Sequence, residues 1–358
     1  MVIRQRKASG AHHDVIPSWD GVHRFSELRR AGGQATASRV GSAGRRPDWR
    51  ELREAPAPMK PTLEKDVVTA LLVEVLGVVP SSVEPLVEGL ESQAFRFRVH
   101  EEAFVVRINP SLRGFEKDLW AYSTVGGRVP VPRVVSLGSV DSDHAYCISE
   151  WVPGVTLEDL TAAGVEAVVG EVASVWRAIA ETDVSSIDGF GDFSSDGSAA
   201  ARTWHEVLRT TLEYARGELT GTLPNHLQEP HAVIAAYEQL IDRCPEERHL
   251  IHGDFGANNM LAKRGRITAV LDWDLAKVGD ALYDVANCYF WASSLTCMEA
   301  QASYFQRTLS HLPAYDERIS CYAFRIGLEE VRENVRNGDL RMAAWALDRS
   351  RELLRERP

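Results

Sequence analysis

His252-Gly253-Asp254, four intervening residues and Asn259 form the pattern H-x-D-x-x-x-x-N, and Asp272 stands thirteen positions further on, at the end of the apolar run RITAVLDW. Phosphoryl transfer to an alcohol needs this combination. One carboxylate must orient the acceptor hydroxyl and take its proton. An amide oxygen and a second carboxylate must hold Mg²⁺ against the phosphates of a nucleotide such as ATP. The four-residue loop lets Asp254 face the acceptor while Asn259 turns back toward the metal, and a turn at Lys263-Arg264-Gly265 returns Asp272 to the metal's other side. Asp254, Asn259 and Asp272 are therefore the catalytic candidates, the last two as metal ligands. His252 reads as a packing residue that bonds the loop backbone. Asp280, after Gly279, reads as a helix cap, and Asp284 as a brace for the catalytic loop.

A second set of residues must grip the nucleotide. Arg107 is the only charged side chain in AFVVRIN and is placed to reach the phosphates; its permanent charge and forked donors suit them. Its acidic partner is expected in FEKDLW, as Asp118 or Glu116. Glu88-Gly89-Leu90-Glu91-Ser92 would cover the phosphates, with Ser92 as a contact, although it lacks the G-x-G-x-x-G pattern. Glu150, Trp151 and Val152 join the two halves and would meet the adenine through backbone groups.

The elements that position these residues follow from apolar periodicity. Leu63, Val67, Leu71 and Val75 recur every four residues, a helix that ends at Gly77. Phe95, Phe97 and Val99, then Phe104, Val106 and Ile108, alternate with polar neighbours across a Glu101-Glu102 turn, a β-hairpin carrying Arg107. FEKDLWAYSTV reads as a helix, VVSLGS and AYCIS as strands. After Pro153-Gly154 the segments 157–182, 201–219, 228–243, 280–295, 298–309, 315–336 and 340–355 suit helices. The expectation is an α+β chain with a small antiparallel-sheet lobe over 59–152 and a large, mainly helical lobe over 153–358.

Composition bounds the rest. The chain has 358 residues, 44% hydrophobic and 25% charged, with a net charge of −11. That balance argues against nucleic acid as a partner and suits a cationic small molecule. No apolar run reaches the roughly 18 residues a membrane span needs. The five cysteines are widely spaced with no CxxC pair, which points to a reducing, cytoplasmic setting. Residues 1–58 differ from the rest. They hold eleven basic and six acidic residues, leaving −16 on the remainder, and only nine Val, Ile, Leu or Phe. They read as a disordered extension. A transit peptide fits less well, given Asp14, Asp20 and Glu27. A third reading puts the true start at Met59.

Asp254, Asn259, Asp272 and GDALYDVAN resemble the aminoglycoside phosphotransferases and their protein-kinase-like relatives. CPEERHLIHGDFGANNMLAKRGRITAVLDW, VANCYFW, FRIGLEE and CISEWVPGVTLEDL are most similar to the branch of that family that acts on hygromycin B at its 4-O position. The resemblance covers Met59 to about residue 350, favours a start at Met59, and prefers Asp118 to Glu116. It implies a kinase-like two-lobe fold, ATP and Mg²⁺ as cofactors, and a polycationic aminoglycoside as substrate; a monomer is expected. Asp274, Glu299, Glu329 and Glu330 would bind its amines, Trp273 or Trp291 would stack on a ring, and Asn258 would lie on the substrate side. The alternatives are a kinase of another small alcohol (a sugar, choline or homoserine) and a catalytically dead binding module.

Overall fold

The computed structural model describes residues 63–86, 92–221, 223 and 229–356. The extension 1–58, Met59 and most of the expected phosphate loop, Glu88 to Glu91, lie outside the described residues.

The first lobe opens with α1 (Lys65–Leu76), which stops at Gly77 because only that residue takes φ 71° without strain. Then come β1 (Ser82–Pro85), β2 (Gln93–Val99), β3 (Glu102–Asn109), α2 (Arg113–Thr124), β4 (Val134–Ser139) and β5 (Ala145–Glu150). The five strands form one antiparallel sheet in the order β1-β2-β3-β5-β4. The alternation in β2 and β3 is used as a sheet dictates: Phe95, Phe97, Val106 and Ile108 turn to one face, where Val68, Leu71 and Leu72 of α1 cover them. Arg107 turns to the opposite face.

The second lobe is mainly helical: α3 (Ala162–Ala180), α4 (Trp204–Tyr214), α5 (His231–Ile241), α6 (Leu282–Trp291), α7 (Thr296–Leu309), α8 (Tyr315–Arg336) and α9 (Leu340–Glu356). The apolar face of α8 is packed by α5, α6 and α9. Two small sheets interrupt the helices. β6 (Val155–Thr156), β10 (Met260–Lys263) and β11 (Arg266–Val270) pair in the order β11-β10-β6. β7 (Phe190–Phe193), β8 (Ala199–Ala201), β9 (His249–Ile251) and β12 (Lys277–Gly279) pair in the order β8-β7-β12-β9. The fold is α+β and protein-kinase-like, a sheet lobe joined to a helical one.

Two expected helices differ in detail. The segment 157–182 begins as a short 3-10 turn, Leu157–Asp159, and restarts where the Thr161 hydroxyl caps Gly164 N. The segment 201–219 leaves α-helical geometry after Tyr214 in a π-turn. The chain between them supplies β7 and most of β8, whose last residue, Ala201, falls where the expected helix began. α2 carries the lobes' junction: Ala121 and Val125 join the core of the helical lobe, while Phe115 packs under Ala145 and Cys147 of the sheet.

Candidate active site

β9 delivers the catalytic loop. At Gly253, φ is 89°, and a Cβ there would lie 2.1 Å from the Leu275 carbonyl oxygen, so the loop can approach the 272–276 segment only with glycine. Asp284, fully buried on α6, holds the loop from below: its oxygens accept from His252 N and Gly253 N. Burial pushes this carboxyl up to about 7, against the two N–H bonds and Lys277. The His252 ring is fully buried, and burial holds its pKa below the usual histidine range. A neutral ring whose Nε2 lies 3.0 Å from Leu271 O must carry its proton there. Nδ1 is then left to accept from Asp254 N at 3.4 Å.

The loop's functional side chains converge. Asn259 Nδ2 donates to Asp254 Oδ2 at 2.7 Å and to Asp254 O at 3.0 Å. This fixes the amide, so that its oxygen points away from Asp254. The hairpin closes through Leu271 N and Asn259 O at 2.8 Å. Asp272 follows with φ 60°, a left-handed conformation that a non-glycine residue takes at a cost. Asp272 is open to solvent but sits deep in the cleft. The partial loss of hydration there, with the charges of Asp118, Asp254 and Asp274, pushes its carboxyl up to about 7, while Arg107 pulls it down.

Arg107 pairs with Asp118, not Glu116. The other Asp118 oxygen accepts from Trp273 N at 3.0 Å, so one carboxylate joins the sheet lobe to the segment after Asp272. Ser92 lies just ahead of β2. At the hinge, Glu150 N donates to Arg133 O and Trp151 N to Ala103 O, each at 3.0 Å. Those two N–H groups are engaged within the protein.

The expected substrate residues are scattered more widely. Asp274 stays beside Asp272, against Gly114. Asn258 is exposed next to Asn259. Trp273 is 1% exposed, with its ring 4.8 Å from that of His252, so it packs the catalytic loop and offers no face to a sugar. Trp291 stacks on Trp345 of α9 at 4.9 Å. Glu329 is tied to Arg325 at 2.9 Å and to Tyr283 OH at 3.2 Å, and those neighbours hold its carboxyl below the usual range despite burial. Glu330 accepts from Asn334 one turn along α8, and Glu299 stands in the first turn of α7. Asp280 does cap α6, through Leu282 N, but its main partners are Arg318 and Tyr322 in a buried network.

Three residues escaped the sequence reading. Lys117 and Arg113 of α2 both reach Asp192 of β7, and Lys117 also bonds the carbonyls of Asp274 and Ala276. The only signal in the sequence is a lysine directly before Asp118 in a helix.

The profile of the phosphotransferase enzyme family, APH, matches residues 82–318 and so spans the hairpin, the hinge and the whole catalytic loop. The chain belongs to this family. This APH phosphotransferase is 37% identical over 300 residues to hygromycin-B 4-O-kinase of Escherichia coli, 83% of this chain and 87% of that protein. It is also similar to a thermostable mutant of aminoglycoside phosphotransferase APH(4)-Ia solved as a ternary complex with ADP and hygromycin B. There the TM-score is 0.75 at 36% identity, covering 80% of this chain and 98% of that one. APH(2")-IIia in complex with GDP and kanamycin shares the fold alone, with TM-score 0.63 at 17% identity over 82% of this chain and 99% of that one.

Proposed function

We propose that this phosphotransferase transfers the γ-phosphoryl group of ATP to hygromycin B, at the hydroxyl phosphorylated by 4-O-kinases, and thereby confers resistance to it. The observation that carries the reading is the Asp254–Asn259 contact at 2.7 Å beside Asp272. It sets a hydroxyl-orienting carboxylate against two oxygen donors. The similarity to hygromycin-B 4-O-kinase over 83% of the chain supplies the substrate.

The residues fit a divalent cation. Asp118, Asp254 and Asp274 surround Asp272, and Arg107 is the cation that acts on it. The Asn259 amide is held with its oxygen turned outward. Magnesium favours one or two carboxylates plus phosphate oxygens and water, and Asn259 and Asp272 would hold it in that way. When bound, it neutralises charge on the nucleotide phosphates. Asp254 orients the acceptor hydroxyl and accepts its proton. Arg107, set by Asp118, binds the phosphates. Ser92 lies near them, and the hinge of Glu150, Trp151 and Val152 holds the base. Asn258 and Asp274 are the substrate-side residues nearest the chemistry, while Trp291, Glu299, Glu329 and Glu330 lie further along the helical lobe.

The same reading divides the chain into a nucleotide-holding part up to 152 and a catalytic, substrate-binding part from 153. No described helix is long and apolar enough to cross a membrane. All five thiols are buried and unpaired, which suits the cytoplasm. The exposed large hydrophobics of the described residues are scattered, which suits a monomer. The test is an assay of the purified full chain with ATP and Mg²⁺ against hygromycin B, kanamycin, choline and homoserine, paired with expression in a sensitive bacterium. Phosphorylation of hygromycin B and growth on it are expected, with little turnover of the others. Equal turnover of kanamycin, or preference for a simple alcohol, removes the substrate assignment.

A further inference from the structure

One face of α2, made of Arg113, Gly114, Lys117 and Asp118, lies against the segment that follows Asp272. The spacing is that of neighbours on a helix surface, i and i+4 taken twice. Lys117 is 1% exposed, and its side chain runs past the ring of Phe193. Its ammonium reaches three oxygens: Asp192 Oδ1 at 2.5 Å, Asp274 O at 2.6 Å and Ala276 O at 2.9 Å. An ammonium has three protons to give, so the group is satisfied. A buried charge persists in a fold only when its bonds are completed in this way, and a methionine would fill the same volume without the penalty. The bonds therefore point to a task beyond packing.

The oxygens identify it. Two of the three belong to residues two and four positions after Asp272. The amide of the intervening Trp273 is held by Asp118, the next residue of α2. A turn from Ala276 N to Trp273 O closes the same segment. Asp272 itself sits at φ 60°, a conformation its own sequence does not favour, so its neighbours must impose it. α2 is in turn fixed to the helical lobe through Ala121 and Val125.

We propose that Lys117 is a positioning residue for phosphoryl transfer, which fixes the backbone carrying Asp272 by tying it to α2 and to Asp192 of β7. The assignment rests on the reading of Asp272 as a metal ligand. Because Lys117 and Asp118 are adjacent, the clamp that sets Asp272 also presents the partner of Arg107, so α2 arrives at the nucleotide already docked on the catalytic segment.

The test uses the full chain with Lys117→Met, Asp192→Asn and Asp272→Asn. Lys117→Met is expected to lower kcat by about 10–100-fold, the usual effect of removing a group that orients a metal ligand. The acceptor KM should stay within about threefold, and the Mg²⁺ concentration for half-maximal rate should rise. Hydrogen exchange at the amides of Trp273 and Ala276 should accelerate by roughly tenfold or more, as expected when a locally protecting contact is lost. Asp192→Asn keeps Lys117 and both carbonyl bonds and should shift each readout in the same direction by less. A Lys117→Met enzyme with kcat within about twofold of wild type overturns the proposal whatever its melting temperature, as does a loss of kcat with exchange unchanged at 273 and 276. If Lys117→Met does not fold, Asp192→Asn decides, and wild-type exchange and kcat in that variant overturn the proposal. An active Asp272→Asn removes the metal-ligand reading and the proposal together. An inactive Asp272→Asn beside an active Lys117→Met removes the proposal alone.

Discussion

Asp284 holds Gly253 by a hydrogen bond of 2.8 Å from the Gly253 N–H to Oδ1, while Oδ2 takes the neighbouring His252 N–H at the same length. The loop that carries Asp254 thus hangs from one carboxylate of α6. Asp284→Ala leaves two buried N–H groups without a partner, at a cost of about 1–3 kcal/mol each. The expected result is a clear fall in melting temperature together with a large loss of kcat. Asp284→Asn, which keeps one acceptor, should fall between. Calorimetric unfolding and steady-state kinetics on both variants check this. Wild-type kcat in Asp284→Ala would show that the loop holds its shape without the brace.

Asp254→Ala removes the group proposed to take the acceptor proton; the Asn259 amide loses its bond to the Asp254 carboxylate but keeps the one to Asp254 O. Turnover should fall by about 10²–10⁴-fold, the range of a general base. Nucleotide affinity, read by titration calorimetry, should change little. Retention of more than about a tenth of kcat would rule out the general-base role.

Asp118 accepts from both Arg107 and Trp273 N, so its removal breaks two bonds, whereas removing Arg107 breaks only one of them. Asp118→Ala should therefore be the more damaging change, raising the KM for ATP and lowering kcat. Arg107→Ala should act mainly on the KM for ATP. Arg107→Lys should recover part of that loss, because a point charge replaces a fork. Equal effects of Asp118→Ala and Arg107→Ala on kcat would mean that the Trp273 bond carries nothing.

The parts legible in the sequence are the local ones. Asp254, Asn259 and Asp272 fall within one loop and one hairpin, so spacing alone brings them near each other. The long periodic helices, such as Tyr315–Arg336, coincide with their apolar pattern. β7, β8, β9 and β12 are three or four residues long, too short to show an alternation. They exist because the β7–β8 hairpin meets β12 and β9 from far along the chain. Lys117 and Asp192 lie 75 residues apart and meet only because β7 enters that sheet. Trp273 and Glu329 look like ligand residues by type, but burial against His252 and pairing with Arg325 give them other work.

Lys277 gives the fold a pH dependence of predictable sign. Its ammonium is buried between Tyr283, whose ring centre is 4.5 Å away, and the neighbourhood of Arg325 and Glu329. Burial first, and then Arg325, lowers its pKa from 10.5 to about 8, against Glu329 and Asp284. Below pH 8 the folded and unfolded chains both carry this proton, and the folded state bears the cost of a buried charge. Between about pH 8 and 10.5 the unfolded lysine keeps its proton while the folded one gives it up, so stability from this group rises with pH. The full gain is about 3 kcal/mol. Lys277→Met has no such proton, and subtracting it cancels the titrating groups that Lys277 does not act on; Asp284 and Glu329, which feel its charge, do not cancel. The stability of Lys277→Met minus that of wild type should be most positive at pH 7 and should shrink steadily as pH approaches 10. Denaturant unfolding of both proteins at four pH values across that window measures the difference. A constant gap would mean that Lys277 holds its proton throughout, with Glu329 compensating its burial.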